Sequence, residues 1–339
     1  MTLSRARMPL LSLALLVVLG GALAACRSED DTGGEPVEVS LALDWYPWAA
    51  HSGIYLAQEN GYFEDEGLEV SVYVPGDPAT GLQLVASGED DFVISYQADV
   101  MIARGAGLPV MSVAALVQHP LNSIMALGSS EITTPADLAG KKVGITGVPS
   151  DEALLGAVLA QAGVGLDQIE IVNVGFNLVQ SLLGGEVDAV IGAYWVHESI
   201  LIEQQGQTVN VIRLEEWGVP DYYELVLVTT DEKVAEDGEM VEKFVRALQQ
   251  GYADAEADHE AALDALIAAA PDTDRELEEA GLPLLAPFWT DNGAVPFGTQ
   301  TLERWETYGL WLNENGLLDD SVEPAQAFTN EYVEGAASE

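Results

Sequence analysis

The 339-residue chain has a single cysteine, only 12 lysines and arginines, and no bilayer-length apolar run beyond its opening segment. Each scarcity excludes something. With Cys26 alone, no internal disulfide and no cysteine-based zinc or iron–sulfur site can form within the chain. Twelve bases against 56 acids leave a formal charge of −44, which repels phosphate. That argues against nucleic-acid binding and against a basic patch that grips anionic lipid headgroups. The glycines compose no Walker-type phosphate loop, so ATP hydrolysis of that kind is not expected of this chain. The acids are scattered rather than set at calcium-loop spacing, and they read as a solvated surface suited to a salt-rich setting. A hydrophobic content of 48% is enough to bury real cores.

The opening segment has the parts of an export signal. Arg5 and Arg7 precede an apolar run from Pro9 to Val18 and then the small residues Gly20-Gly21-Ala22. This run is too short and wrongly flanked for a spanning helix. It ends Leu23-Ala24-Ala25-Cys26, which resembles the bacterial lipoprotein processing box. The resemblance implies removal of residues 1–25 and acylation of Cys26, so the protein is expected on the extracytoplasmic face of the cell membrane, held by lipid. Processing would leave ten bases against 56 acids, a net charge of about −46. Residues 26–36 are polar, contain glycine and lack apolar periodicity, which makes them a flexible tether.

From Val37 onward, short apolar strands alternate with helical patterns, an α/β layout with mostly parallel sheets. The strands are expected at Val37–Leu43, Glu69–Val74, Phe92–Ser95, Val110–Leu116, Ile124–Leu127, Lys142–Ile145, Ile169–Val174, Ala189–Ile191 and Val209–Ile212. From Asp231 the pattern turns helical. Val241, Phe244, Val245, Leu248 and Tyr252 make one face of a long amphipathic helix, and Glu260–Ala270, Arg275–Leu285, Thr301–Asn315 and Pro324–Val333 read as further helices. Two stretches share a plan, Leu84–Ser95 and Ser181–Gly192: an apolar helix end, a capping glycine, an aspartate, then a buried strand. They suggest two similar α/β lobes. Lobe 1 is assigned 37–125 and 226–339, lobe 2 is assigned 126–225, and Ser123–Gly128 and Tyr223–Thr230 are the expected hinge strands around a cleft.

Several motifs carry a resemblance. Gly53-Ile54-Tyr55-Leu56-Ala57-Gln58-Glu59-Asn60-Gly61-Tyr62-Phe63 and Thr134-Pro135-Ala136-Asp137-Leu138-Ala139-Gly140-Lys141-Lys142-Val143-Gly144 resemble the type II periplasmic solute-binding proteins of ABC importers. Leu43-Asp44-Trp45-Tyr46-Pro47, Ser95-Tyr96-Gln97, Ala193-Tyr194-Trp195 and Gly218–Leu225 narrow this to the branch that binds thiamine-pyrimidine precursors, the formylaminopyrimidine-binding (ThiY-type) proteins. The chain departs from that branch at Trp48-Ala49-Ala50, where an Asn-Thr-Asn-like stretch is usual, and at Pro120-Leu121-Asn122. The resemblance implies the type II fold, with two α/β lobes, two hinge strands and the helical C-terminal part packed on lobe 1. It also implies capture of a small planar nitrogen heterocycle and delivery to an ABC permease with its ATPase subunit. Related proteins carry riboflavin, which is the alternative ligand.

A flat heterocycle is best held between aromatic faces, and Trp45, Tyr46, Tyr96, Trp195 and Tyr223 fall at or after expected strand ends, where α/β sheets bind ligands. An exocyclic amine calls for a carboxylate, as cytosine's amine does. Glu224 is the first choice and Asp44 the second, while His51 and Gln118 complete the expected ligand set. His197 and Glu198 read as a helix start, and Arg104 as paired with an acid. A thiamine-pyrimidine synthase of the same fold uses a lysine holding pyridoxal phosphate and a cysteine-rich iron motif. Here the lysines are Lys141, Lys142, Lys233 and Lys243, none near His51, and Cys26 is the lipid site, so neither a cofactor nor catalysis is expected.

Overall fold

The computed structural model describes residues 36–319, 321–333 and 335. The expected leader, Cys26 and all but the last tether residue lie outside them. Ten strands are described: β1 (Val37–Ala42), β2 (Leu68–Tyr73), β3 (Phe92–Ser95), β4 (Val110–Val117), β5 (Asn122–Leu127), β6 (Lys142–Ile145), β7 (Glu170–Asn173), β8 (Ala189–Tyr194), β9 (Val209–Arg213) and β10 (Leu225–Thr230). The helices are α1 (Ser52–Glu59), α2 (Tyr62–Asp65), α3 (Gly81–Ser87), α4 (Gln97–Gly105), α5 (Pro149–Gln161), α6 (Leu178–Leu183) and α7 (Glu198–Gln204). They continue with α8 (Asp231–Glu236), α9 (Gly238–Ala257), α10 (His259–Ala269), α11 (Arg275–Leu285) and α12 (Leu302–Glu314). None of the described helices is long and apolar enough to cross a membrane.

The strands form two five-stranded sheets of one plan, ordered β2-β1-β3-β10-β4 and β7-β6-β8-β5-β9. Each has three parallel strands, and a fourth, antiparallel strand comes from beyond the crossing between sheets. Burial on both faces explains why inner strands such as β3 and β10 read as continuous apolar runs, whereas the edge strand β2 alternates. The repeated sequence plan has a structural counterpart. Gly88 and Gly185 both take a left-handed conformation, with φ of 76° and 70°, between a helix and a buried strand. Asp91 then accepts from the Ser40 backbone at 2.9 Å, and Asp188 accepts from the Lys142 backbone at 2.8 Å. Each aspartate thus ties its αβ unit to the neighbouring parallel strand.

Two expectations need correction. Ser123–Gly128 and Tyr223–Thr230 fall mostly within strands of the two sheets; the chain crosses between sheets at 118–121 and 214–224. Only a 3₁₀ turn, Pro324–Gln326, stands where a helix was expected over Pro324–Val333. The backbone there is taken by the edge of the first sheet instead: Ser112 donates to Ala327 and accepts from Thr329, both at 2.9 Å.

The apolar face of α9 is buried as its spacing requires, from Val241 and Phe244 to Leu248 and Tyr252, and it packs on α1. Backbones nearly touch at that crossing: a Cβ on Gly251 would stand 2.2 Å from the Gly53 carbonyl oxygen and 2.6 Å from the Ala57 Cβ. Helix backbone cannot yield as a side-chain tip can. Gly251→Ala is therefore expected to lower stability by about 2–3 kcal/mol, read as a reduced urea midpoint at unchanged slope. An unchanged midpoint would refute this close approach.

Candidate functional site

Four strand ends meet between the sheets. Beyond β1 the chain supplies Asp44, Trp45 and Trp48, and beyond β3 it supplies Tyr96 as the residue capping α4. Across the gap, the turn from β6 to α5 brings Thr146, Ser150 and Asp151. Tyr194 closes β8, with His197 and Glu198 at the start of α7. The crossing segment adds Tyr222 and Glu224. Together they line a cleft between the sheets that is nearly closed, with about 20 Å³ of free cavity. Neither lysine nor arginine is among the residues lining it.

The cleft is aromatic and acidic. Glu224 is buried, and its Oε2 accepts from the backbones of Leu121 at 2.6 Å and Asn122 at 3.0 Å and from the Tyr222 hydroxyl at 3.1 Å. Asp151 Oδ2 accepts from the Thr146 backbone at 2.7 Å and its hydroxyl at 2.5 Å. Asp44 Oδ1 lies 2.9 Å from His51 Nε2, and Oδ2 accepts from the Tyr96 hydroxyl at 3.3 Å. Burial disfavours charge here and pushes Glu224 and Asp151 up to about 7 despite these donors. Burial also holds the phenols of Tyr96, Tyr194 and Tyr222 well above their ordinary range, so they stay protonated.

Two sets of buried bonds cross the cleft and hold it shut. Asp99 on α4 accepts from the Ser150 backbone at 2.9 Å and its hydroxyl at 2.7 Å. Removal from water pushes that aspartate up to about 6. On the other side Glu278 of α11 accepts from the Ala49 backbone at 2.7 Å and contacts His197 Nε2 at 3.1 Å. His197 Nδ1 lies 2.8 Å from Glu198. Burial opposes the imidazolium, but the Glu198 and Glu278 carboxylates outweigh it and raise His197 to about 10.

Of the expected ligand set, Asp44, Trp45, Tyr96 and Glu224 come together around this cleft. Tyr46 is 54% exposed and lines an adjoining outer chamber instead. His51 lies fully buried behind Asp44, where it orients the carboxylate rather than meeting the cleft. Gln118 is spent on the Thr299 carbonyl, 3.0 Å away. The Tyr223 ring lies under Arg304 at 4.5 Å, and its hydroxyl accepts from the Thr301 backbone at 2.8 Å. Trp195 lies under Arg213 at 4.4 Å and edge-on to Phe288. Its place, and that of Tyr223, is filled by the residue one step earlier, Tyr194 and Tyr222.

The reason is the period of extended chain: neighbours point to opposite sides. The motifs containing these pairs were legible, but the member facing the gap was not. His197 and Glu198 both start α7, as expected, and line the cleft as well. The Ser150-Asp151 turn was missed, although the strand-end rule applied to β6 would have pointed to it. Arg104 pairs with Asp231 at 2.8 Å, as expected.

Residues 48–262 match the model of the NMT1/THI5-like family. A formylaminopyrimidine-binding protein of Halalkalibacterium halodurans is 37% identical over 91% of this chain and 94% of its own length. The riboflavin-binding protein RibY of Chloroflexus aurantiacus is 28% identical over 88% and 87%. A 4-amino-5-hydroxymethyl-2-methylpyrimidine phosphate synthase of Legionella pneumophila is 26% identical over 87% and 92%. Among solved structures, the alkanesulfonate-binding protein SsuA of Xanthomonas axonopodis pv. citri superposes with a TM-score of 0.67 at 19% identity. That match covers 87% of this chain and 99% of the other, and it places the two sheets in the periplasmic-binding-protein fold.

Proposed function

We propose a function for this chain from the premise that it belongs to the NMT1/THI5-like family: it is the solute-binding protein of an ABC importer and captures a thiamine-pyrimidine precursor. The observation that carries this reading is the cleft itself, walled by Trp45, Trp48, Tyr96, Tyr194 and Tyr222 and bearing the buried acids Asp44, Asp151 and Glu224 without a lining lysine or arginine. Flat aromatic walls suit a planar ring, and several acids with no lining lysine or arginine suit a ligand rich in N–H donors better than a sulfonate or phosphate. Glu224 takes the exocyclic amine, and Asp44, steadied by His51, takes a second donor.

The name of the Halalkalibacterium halodurans relative supports the pyrimidine. Binding rather than synthase chemistry is supported by the lysines: none of the four lines the cleft, and Lys142, Lys233 and Lys243 pair with acids elsewhere. Ligand enters an open form, bridges two lobes built one on each sheet, and closure at 118–121 and 214–224 expels water before docking on a permease. Acylation of Cys26 and the 26–36 tether hold the protein at the outer face of the membrane.

A second reading, a flavin ligand, is favoured by the outer chamber, a cavity of about 520 Å³ that adjoins the cleft. Native mass spectrometry of protein purified from its own cells tests the two. Co-purification of a mass matching a small aminopyrimidine supports the first, a flavin mass supports the second, and an anionic metabolite refutes both.

A further inference from the structure

The inner cleft and the outer chamber share four lining residues: Trp45, Trp48, His197 and Glu198. Trp48 is 3% exposed, against half-burial for Trp45. Its ring follows the first sheet, yet its ring neighbours belong to the second: Tyr194 at 5.5 Å and His197 at 5.2 Å between centroids. The indole therefore spans the gap between the halves. Its Nε1–H is buried and has no partner, although a buried donor ordinarily finds one. The outer space is also much the roomier of the two, with a cavity of about 520 Å³.

We propose that Trp48 determines specificity: its indole partitions the site into an inner compartment for a single nitrogen heterocycle and an outer one, and its Nε1–H donates to an acceptor atom of the bound ring. A fused ring system needs both compartments at once and is excluded while the indole stands between them. Trp45 lines both spaces too, but it packs edge-on against Phe176 at 4.8 Å, beside Tyr46, and so belongs to the outer wall. The donor and the bulk are separable: phenylalanine keeps most of the bulk and loses the N–H, whereas alanine loses both.

This inference rests on the heterocycle reading above, and the test separates the two. Full-length wild type, Trp48→Ala and Trp48→Phe are titrated calorimetrically with formylaminopyrimidine and with riboflavin. Wild type is expected to prefer the pyrimidine by about a hundredfold or more. Trp48→Ala should weaken the pyrimidine and admit riboflavin, moving the ratio by about a hundredfold. Trp48→Phe should weaken the pyrimidine roughly tenfold through the lost donor without admitting riboflavin. If Trp48→Ala does not fold, Trp48→Leu reads the same ratio. Pyrimidine binding by wild type with an unchanged ratio in the alanine or leucine variant overturns this inference alone. Full affinity in Trp48→Phe overturns the donor role. Wild type that binds neither compound overturns the functional reading and this inference with it.

Discussion

Glu224→Ala is expected to abolish tight binding of an aminopyrimidine and to lower stability by about 3 kcal/mol, whereas Glu224→Gln should keep the fold and lose binding by roughly 30-fold. The difference follows from what the carboxylate does for the protein itself. Its Oε2 is the acceptor for the Leu121 and Asn122 backbone N–H groups and for the Tyr222 hydroxyl, on the very segments where the chain crosses between sheets. Alanine strands all three donors away from water. The penalty is partly offset because a buried carboxylate no longer has to be desolvated. Glutamine still offers an oxygen to those donors but no charge to a ligand amine, and hydrogen bonds to charged groups exceed neutral ones by about 1–2 kcal/mol. Titration calorimetry together with urea unfolding separates the two roles. Wild-type affinity in a folded Glu224→Gln would remove Glu224 as the ligand's charged acceptor.

The ligand-free protein should melt at a lower temperature at about pH 8 than at about pH 5.5, by on the order of 10 °C. Three buried acids carry folded pKa values above their ordinary ones: Glu224 rises from 4.5 to about 7, Asp151 from 3.8 to about 7 and Asp99 from 3.8 to about 6. The folded state thus holds protons that the unfolded chain has released, and stability falls as pH rises through that window. Between about pH 5.5 and 8 either Glu224 or Asp151 alone accounts for about 2 kcal/mol, and because the acids share one cleft their effects do not simply add. His197, raised from 6.5 to about 10, acts in the same direction. Its stabilisation is complete below its unfolded value and is lost as pH climbs through the folded one. The acids with lowered values, Asp137, Glu239 and Asp319, lie near the surface, and what they contribute is lost only as pH falls through the carboxylate range. Ligand affinity should run the other way, rising toward about pH 7 as the acceptor ionises. A melting temperature that is flat or increasing across this range would contradict the buried-acid account.

Much of this was legible because it is local. Phe92–Ser95, Lys142–Ile145 and Arg275–Leu285 have the bounds that their apolar spacing and flanking punctuation suggest. The acids and aromatics near strand ends were legible too, since strand ends bear ligands in this architecture whatever the sequence between them. What stayed hidden is set by contacts distant in sequence. Whether Tyr194 or Trp195 faces the gap depends on the phase of β8 against its partners, and Arg213 captures the other ring. That His51 serves Asp44 and not the ligand depends on how the β1–α1 turn folds back. The Pro324–Val333 stretch has helical composition, yet its carbonyl and N–H groups find Ser112 on a sheet edge, and that partner is invisible in its own spacing.

The most direct measurement is a calorimetric titration of the purified chain with formylaminopyrimidine, run beside an alkanesulfonate of similar size. A cleft of aromatic walls and buried acids, with no lining lysine or arginine, should take up the pyrimidine one to one and give no heat with the sulfonate. Heat from the sulfonate with none from the pyrimidine would mean that the cleft's charge has been read with the wrong sign.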